Sequence, residues 1–370
     1  MRVRARPLST AQDDRPHGKR DGTCSVNPRK QRASVVRFAP GRGGYPFEHG
    51  GAGVKGLKNV LRRVDAFQRR HSPLAFMFAV FKKFGEDEAG SKAALIAYYG
   101  FFSLFPLLLV FTTVLGFVLN GHTALQDKIV HSTLAQFPII GDQIASNVHS
   151  LQGSGVALAI GIVGTLWAGM GVTQAGENAM NAVWNVPARK LPNAIFSRVR
   201  GLLFLVVFGL GVLATTVLAG LGTSGSGIPI KIGAITAAAV INLAMFLVSF
   251  RVLTAEELSW RDVLPGAIVA TVLWEILQAI GGWYVARSLK GASQVYGFFA
   301  IVIGLLGWLY LGAQMTLLAA EINVVLRRKL WPRALVQPPL TLKDKEALRR
   351  LALMEERRPE EEIVVRFKES

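Results

Sequence analysis

The chain has 370 residues, 51% of them hydrophobic and only 18% charged, and its mean hydropathy is positive. A formal charge of +18 sits on this apolar background. Those values argue against an ordinary soluble domain, and continuous apolar runs in place of period-two alternation argue against a membrane β-barrel. Cys24 is the only cysteine, so no internal disulfide forms and the redox compartment is left open.

Residues 1–53 are rich in Arg, Gly, Pro and small polar residues, and a basic disordered tail is expected there. Its charge suits anionic lipid headgroups, while a folded nucleic-acid module with aromatic platforms is absent. The GRGG stretch has no downstream GK[ST] and no preceding strand, so it is not a phosphate loop. Across residues 54–92, Val54, Leu57, Val60, Leu61, Val64 and Phe67 recur at helical spacing beside arginines, Pro73 interrupts, and Leu74–Phe84 gives a short second apolar segment. Both read as interfacial helices on the cytoplasmic headgroups, the alternative being packing against another cytoplasmic helix.

Six runs then have the length of a membrane span: about 93–119, 155–182, 202–221, 229–249, 263–286 and 297–325. Roughly 20 apolar residues cross about 30 Å of hydrocarbon. The predicted fold is therefore all-α and polytopic, with a six-helix transmembrane domain over 93–326. No apolar run lies close enough to the first basic residues for a signal peptide, so the first span is expected to direct insertion.

Charge sets the expected orientation. Residues 1–92 hold twenty Lys or Arg against eight Asp or Glu, and the segment from Arg327 adds twelve against eight. Arg189, Lys190, Arg198 and Arg200 lie between spans two and three, whereas the 120–154 connection carries only Lys128. By the positive-inside rule both termini are cytoplasmic and the 120–154 connection is external. That connection has apolar positions for two short helices around Pro138, either capping a cavity or covering helix ends. Residues 327–370 read as a cytoplasmic charged tail with one helix candidate.

Depth along each span places Tyr98, Ser103, Glu177, Asn181, Glu321 and Asn323 in one inner polar layer. Glu275 falls near the middle of span five, with Gln278 one turn on. A carboxylate in hydrocarbon costs at least roughly 2.5 kcal/mol, so Glu275 is expected to face the bundle interior, find a donor or be protonated. It reads either as a proton-responsive or substrate-contacting group or as a structural glutamate. Glu177 and Asn181, one turn apart, can share a face. For Glu321 the plain alternative is pairing with Arg327 or Arg328. Pro106 is expected to bend span one, Pro265 to sit in the first turn of span five, and glycines such as Gly164 and Gly171 to permit close helix approach.

No HExxH, clustered cysteine site or GxSxG elbow occurs, and the six histidines lie outside the predicted spans. His131, Asp127, Asp142 and His149 share the external connection but do not form a recognisable ligand pattern. No catalytic residue, cofactor, metal or ATP motor is predicted.

Four signatures carry a resemblance: EDEAGSKAALIAYYGFFSLFPLLLV (86–110), Gly164–Trp167 followed by Glu177–Trp184, LPGAIVATVLWE (264–275) and YGFFAIVIGLLGWLYLGAQMTLLAAEIN (296–323). Over about residues 70–328 the chain resembles the YihY/BrkB family of bacterial inner-membrane proteins. The resemblance implies six spans with cytoplasmic termini in the inner membrane. It draws attention to Asp87, Tyr98, Ser103, Pro106, Asn181, Pro265, Gly266, Glu275, Tyr296, Gly297, Trp308, Glu321 and Asn323. Some relatives have carried a ribonuclease BN label, for which this sequence supplies no chemistry, and others are described as virulence or serum-resistance proteins. The leading expectation is a transporter without ATPase activity, or a lipid-handling protein. Membrane lipids would be its partners, an envelope component or small molecule its substrate, and it would bind no specific nucleic acid. The alternative is an envelope scaffold or assembly factor without transport.

Overall fold

A computed structural model describes residues 52–118, 155–223, 227–288 and 297–367. The basic segment before residue 52, the 120–154 connection with its histidines, and Tyr296 lie outside the described residues. The helices are α1 (Ala52–Arg70), α2 (Ser72–Glu86), α3 (Ala89–Val118), α4 (Gly155–Val183), α5 (Ala194–Thr223), α6 (Ile228–Val252), α7 (Trp260–Ser288), α8 (Gly297–Arg328) and α9 (Leu342–Leu353), with one 3-10 turn at Ala188–Lys190. No strand occurs among the described residues, and the fold is all-α.

Four described stretches are long and apolar enough to cross a membrane: Ala194–Thr215, Ile228–Val252, Trp260–Gly281 and Val302–Arg328. Helices α3 and α4 have 30 and 29 residues. Each of α3 to α8 packs on the next in chain order, and α8 packs back on α3, closing a ring. Small residues make the contacts close. A Cβ on Gly164 would lie 3.0 Å from Pro106, and one on Gly171 would lie 2.7 Å from the Tyr99 ring. The outward faces stay apolar, with Trp167 77% exposed, as expected where lipid is the solvent.

Helix ends depart from the hydropathy reading for local reasons. Helix α5 starts well before residue 202 because Asn193 caps it, its Oδ1 accepting the Phe196 N–H at 2.9 Å. Helix α7 starts at Trp260, behind Ser259, whose N–H donates to Asp262 Oδ2 at 2.8 Å. Pro265 thus lies in the second turn, not the first. The capping group lies outside the apolar run, and hydropathy alone does not see it.

The densest core gathers at one end of the ring, where Val80, Val183, Trp184, Phe250, Leu317 and Val324 are buried together. Helices α1 and α2 and the residues after α8 lie at this same end. Helix α1 turns polar Asp65 and Gln68 inward and leaves Val60 and Phe67 each 56% exposed. Asp65 Oδ1 accepts the Leu335 N–H at 2.8 Å, and Gln68 Nε2 donates to the Arg333 carbonyl at 2.8 Å. Helix α1 thus packs on α2 and on the segment after α8 with one side, as the packing alternative expected, and presents apolar residues on another.

The segment after α8 is docked, more than its composition suggested. Leu330, Arg333 and Ala334 are fully buried. Arg333 reaches Glu86 and Asp344, and Lys82 Nζ donates to Asp344 Oδ1 and to the Ala334 carbonyl, each at 2.8 Å. Thr341 and Asp344 form a reciprocal capping box at the start of α9. Burial works against the Asp344 charge. The Lys82 ammonium, the Ala334 N–H and the Thr341 hydroxyl together outweigh it and hold the carboxyl below its ordinary range.

A carboxyl depressed on folding contributes its full stability above the unfolded value of about 3.9, and that contribution is lost as pH falls through the folded value. The protection of amides across residues 330–353, relative to their intrinsic exchange rates, is accordingly expected to be full near neutrality and to fall below about pH 4. Asp344→Asn should loosen the same segment at neutral pH by about 1.5–3 kcal/mol, the range for hydrogen bonds to a charged group. Unchanged exchange in that variant would show that the segment is held without Asp344, through Leu330, Ala334 and the contacts of Arg333 and Leu335.

Candidate functional site

Polar chemistry at the densely packed end of the ring begins with how α4 stops. Asn185 has φ of 47°, in the left-handed region that asparagine tolerates. Its N–H donates to the Ala182 carbonyl at 2.9 Å, and the Val186 N–H donates to the Asn181 carbonyl at 2.9 Å. Two more carbonyls at this end are met by cations from other helices: Lys83 donates to Val183 O and Arg328 to Trp184 O, each at 2.6 Å. Cations are favoured at a helix C-terminus because the unpaired carbonyls there carry partial negative charge.

Lys83 is only 1% exposed. It pairs with Asp87 one turn along, and its Nζ lies 3.1 Å from Glu321 Oε2. Asp87 Oδ1 also accepts from Asn185 Nδ2 at 3.1 Å. Glu321 is fully buried, and beyond the Lys83 ammonium no donor among the described residues meets either of its oxygens. The cluster joins α2, the α2–α3 link, the end of α4 and α8.

These contacts correct several expectations. Glu321 pairs with Lys83 and not with Arg327 or Arg328, which reach Asp262 at 3.4 Å and Glu256 at 2.8 Å. Glu177 and Asn181 serve different neighbours: Glu177 takes the Ser197 hydroxyl and lies 3.4 Å from Arg200, while Asn181 Oδ1 accepts the Ala255 N–H at 2.7 Å. Asn323 Oδ1 accepts the Gly266 N–H at 2.6 Å, fastening α8 to α7. Tyr98 and Ser103 do not join the layer. Tyr98 is 53% exposed against Phe102 and Tyr99, and Ser103 Oγ donates to the Gly100 carbonyl of its own helix at 2.7 Å. Helix rotation decided this. It is Tyr99, the next residue round, that packs on α4 at Gly171.

Glu275 finds a donor on a neighbouring helix, one of the outcomes expected of it, but on an exposed side and not facing the bundle interior. It is exposed, and its Oε1 accepts from Asn242 Nδ2 of α6 at 2.9 Å. Val272 and Ile276 beside it are exposed as well. A carboxylate and an amide thus share the α6–α7 seam well inside two membrane-length helices. Gln278 is half-buried with its Oε1 unbonded. Trp308 is buried against Trp274, ring centroids 5.3 Å apart. Among the described residues no group of three or more His, Cys, Asp or Glu is placed to hold a metal ion.

Lys83, Asn185 and Asn242 were not singled out by sequence reading. Lys83 and Asp87 did carry a signal, since opposite charges four apart at a helix end can pair. Asn185, directly after a long apolar helix, had the position of a left-handed cap. Asn242 showed only as a lone amide in an apolar run.

Long apolar helices closed into a ring, with polar groups inside their span, define an all-α, multi-pass membrane protein. The model of the family described as Virulence factor BrkB matches residues 80–339, and the chain belongs to that family of inner-membrane proteins. It is 28% identical over 275 residues to a UPF0761 membrane protein of Ralstonia nicotianae, covering 68% of this chain and 59% of that protein. With a UPF0761 membrane protein of Cronobacter sakazakii it shares 25% over 278 residues, 73% of this chain and 94% of that one. The Bacillus subtilis protein YfkH, described as ribonuclease-like, is 24% identical over 272 residues, 69% of this chain and 96% of its own length. No solved structure matches the chain.

Proposed function

We propose that the protein is a six-span inner-membrane protein with cytoplasmic termini that moves or handles a lipid or other amphipathic envelope component without hydrolysing ATP. The observation that carries this reading is Glu275, exposed at the α6–α7 seam and bonded to Asn242. A carboxylate held at membrane depth is costly unless something polar meets it, and intramembrane acids commonly mark substrate or ion paths. A carboxylate accepts hydrogen bonds and an amide both donates and accepts. The pair therefore suits a headgroup rich in donors, ammonium or hydroxyl, whose acyl chains would lie along the exposed Val272 and Ile276. The charge bias of the loops supports the orientation, and the 30- and 29-residue lengths of α3 and α4 support the two further spans.

The test is flux in vesicles reconstituted with the full chain, using labelled aminophospholipid, hydroxyl-rich glycolipid and an anionic solute. The wild type is expected to accelerate movement of a donor-bearing lipid, and Glu275→Gln to slow it about tenfold or more, the equivalent of one hydrogen bond to a charged group. Absence of flux across the panel with folded protein would overturn transport in favour of a scaffold role. Equal flux by the variant would remove Glu275 from the path.

A further inference from the structure

We infer that Lys83, Asp87 and Glu321 form a binding site for one exchangeable proton; as the coupling ion of the proposed transport, that proton rests on the reading above, but its binding does not. The charge count comes first. One ammonium faces two carboxyls, all three groups are buried, and they come from α2, the α2–α3 link and α8.

Among the described residues no other cation balances the second acid. Lys82 is engaged by Asp344 and the Ala334 carbonyl, and Glu86 by Arg333. Lys92 donates to the backbone carbonyl of Asp87 at 2.7 Å, not to its carboxyl. From α8, Arg328 is held by Glu256 and Trp184 O, and Arg327 by Asp262. After α4 comes the neutral amide of Asn185, and Arg189 beyond it pairs with Glu356 at 3.0 Å. The trio is thus electroneutral only with one added proton.

Donor supply leads to the same place. An ammonium has three N–H groups. Those of Lys83 face Asp87, Val183 O and Glu321, so none remains. Beyond that ammonium at 3.1 Å, no donor among the described residues meets either oxygen of Glu321. An ionised carboxylate can only accept and would leave lone pairs unmet in so buried a site, which is costly. With one proton between the two acids, the surplus charge is gone and the site gains a donor.

The experiment is infrared difference spectroscopy of the full chain in lipid vesicles, following the carbonyl stretch of protonated carboxyl groups in H2O and D2O as pH is raised. The wild type is expected to show a protonated-carboxyl band that sharpens into one titration and disappears with release of one proton per chain. Glu321→Gln should lack that band and that proton. Asp87→Asn leaves a balanced Lys83–Glu321 pair and should lose the same titration, so the result does not depend on one variant folding. A wild-type spectrum without the band at any pH, or a band of equal size in both variants, would overturn the proton site. No substrate enters this measurement, so failure of flux would sink the transport reading alone.

Discussion

Lys83→Met is expected to lower the stability of the detergent-solubilised protein by about 3–5 kcal/mol, the cost of removing one partner from a buried ion pair. The loss is large because Lys83 has three tasks at one point. It neutralises Asp87, lies 3.1 Å from Glu321, and satisfies the last carbonyl of α4 at Val183. Methionine fills similar volume but leaves two buried carboxyls facing each other and a helix end unmet. Thermal or chemical unfolding would measure the effect. Adding Asp87→Asn and Glu321→Gln to the same variant should restore much of the loss, since a neutral site no longer holds uncompensated charge. A cost below about 1 kcal/mol, the range of exposed pairs, would show that water reaches the cluster.

Gly266→Ala is the second substitution expected to be severe, at about 2–4 kcal/mol from overpacking together with loss of the bond to Asn323. An added Cβ would lie 2.3 Å from the Ala319 carbonyl oxygen and 2.4 Å from Asn323 Nδ2. The first of these belongs to the α8 backbone, so no rotamer change relieves it. Helix α7 would have to move off α8, breaking the 2.6 Å bond from the Gly266 N–H to Asn323. Asn323→Ala makes the comparison sharper: it frees space and removes only the bond to that N–H, and should cost about 0.5–1.5 kcal/mol. If the alanine at 266 melted like the wild type, α7 and α8 would not be locked at this point.

Both predictions fall on residues whose importance the sequence hinted at unevenly. Gly266 and Asn323 stand inside the family signatures, and their meeting joins two of those motifs across one helix pair. Lys83 stands in sequence only near the end of the short apolar segment Leu74–Phe84. Only folding brings Val183 and Glu321 around it. Tyr98 and Ser103 show the reverse error: they sit at the right depth, yet depth does not fix which way a helix faces. Near 100° per residue, Tyr99 meets α4 while its neighbour Tyr98 is exposed. Glu275 was visible as an acid deep in a span, but its partner Asn242 and its exposure depend on how α6 and α7 turn against each other.

What the sequence by itself determined was where the long helices run, which loops carry positive charge, and which carboxyls and amides lie deep. Hydropathy, helix length and the charge rule act along the chain, residue by residue, so a single sequence contains them. The tertiary structure alone decided the pairings. It sent Glu321 to Lys83, Glu177 to Ser197 and Arg200, and Arg328 to Glu256, and it docked the charged tail through Arg333 and Asp344. Buried charges take the partner that packing brings within about 3 Å, and helix rotation and closure of the ring fix that partner, not nearness in sequence.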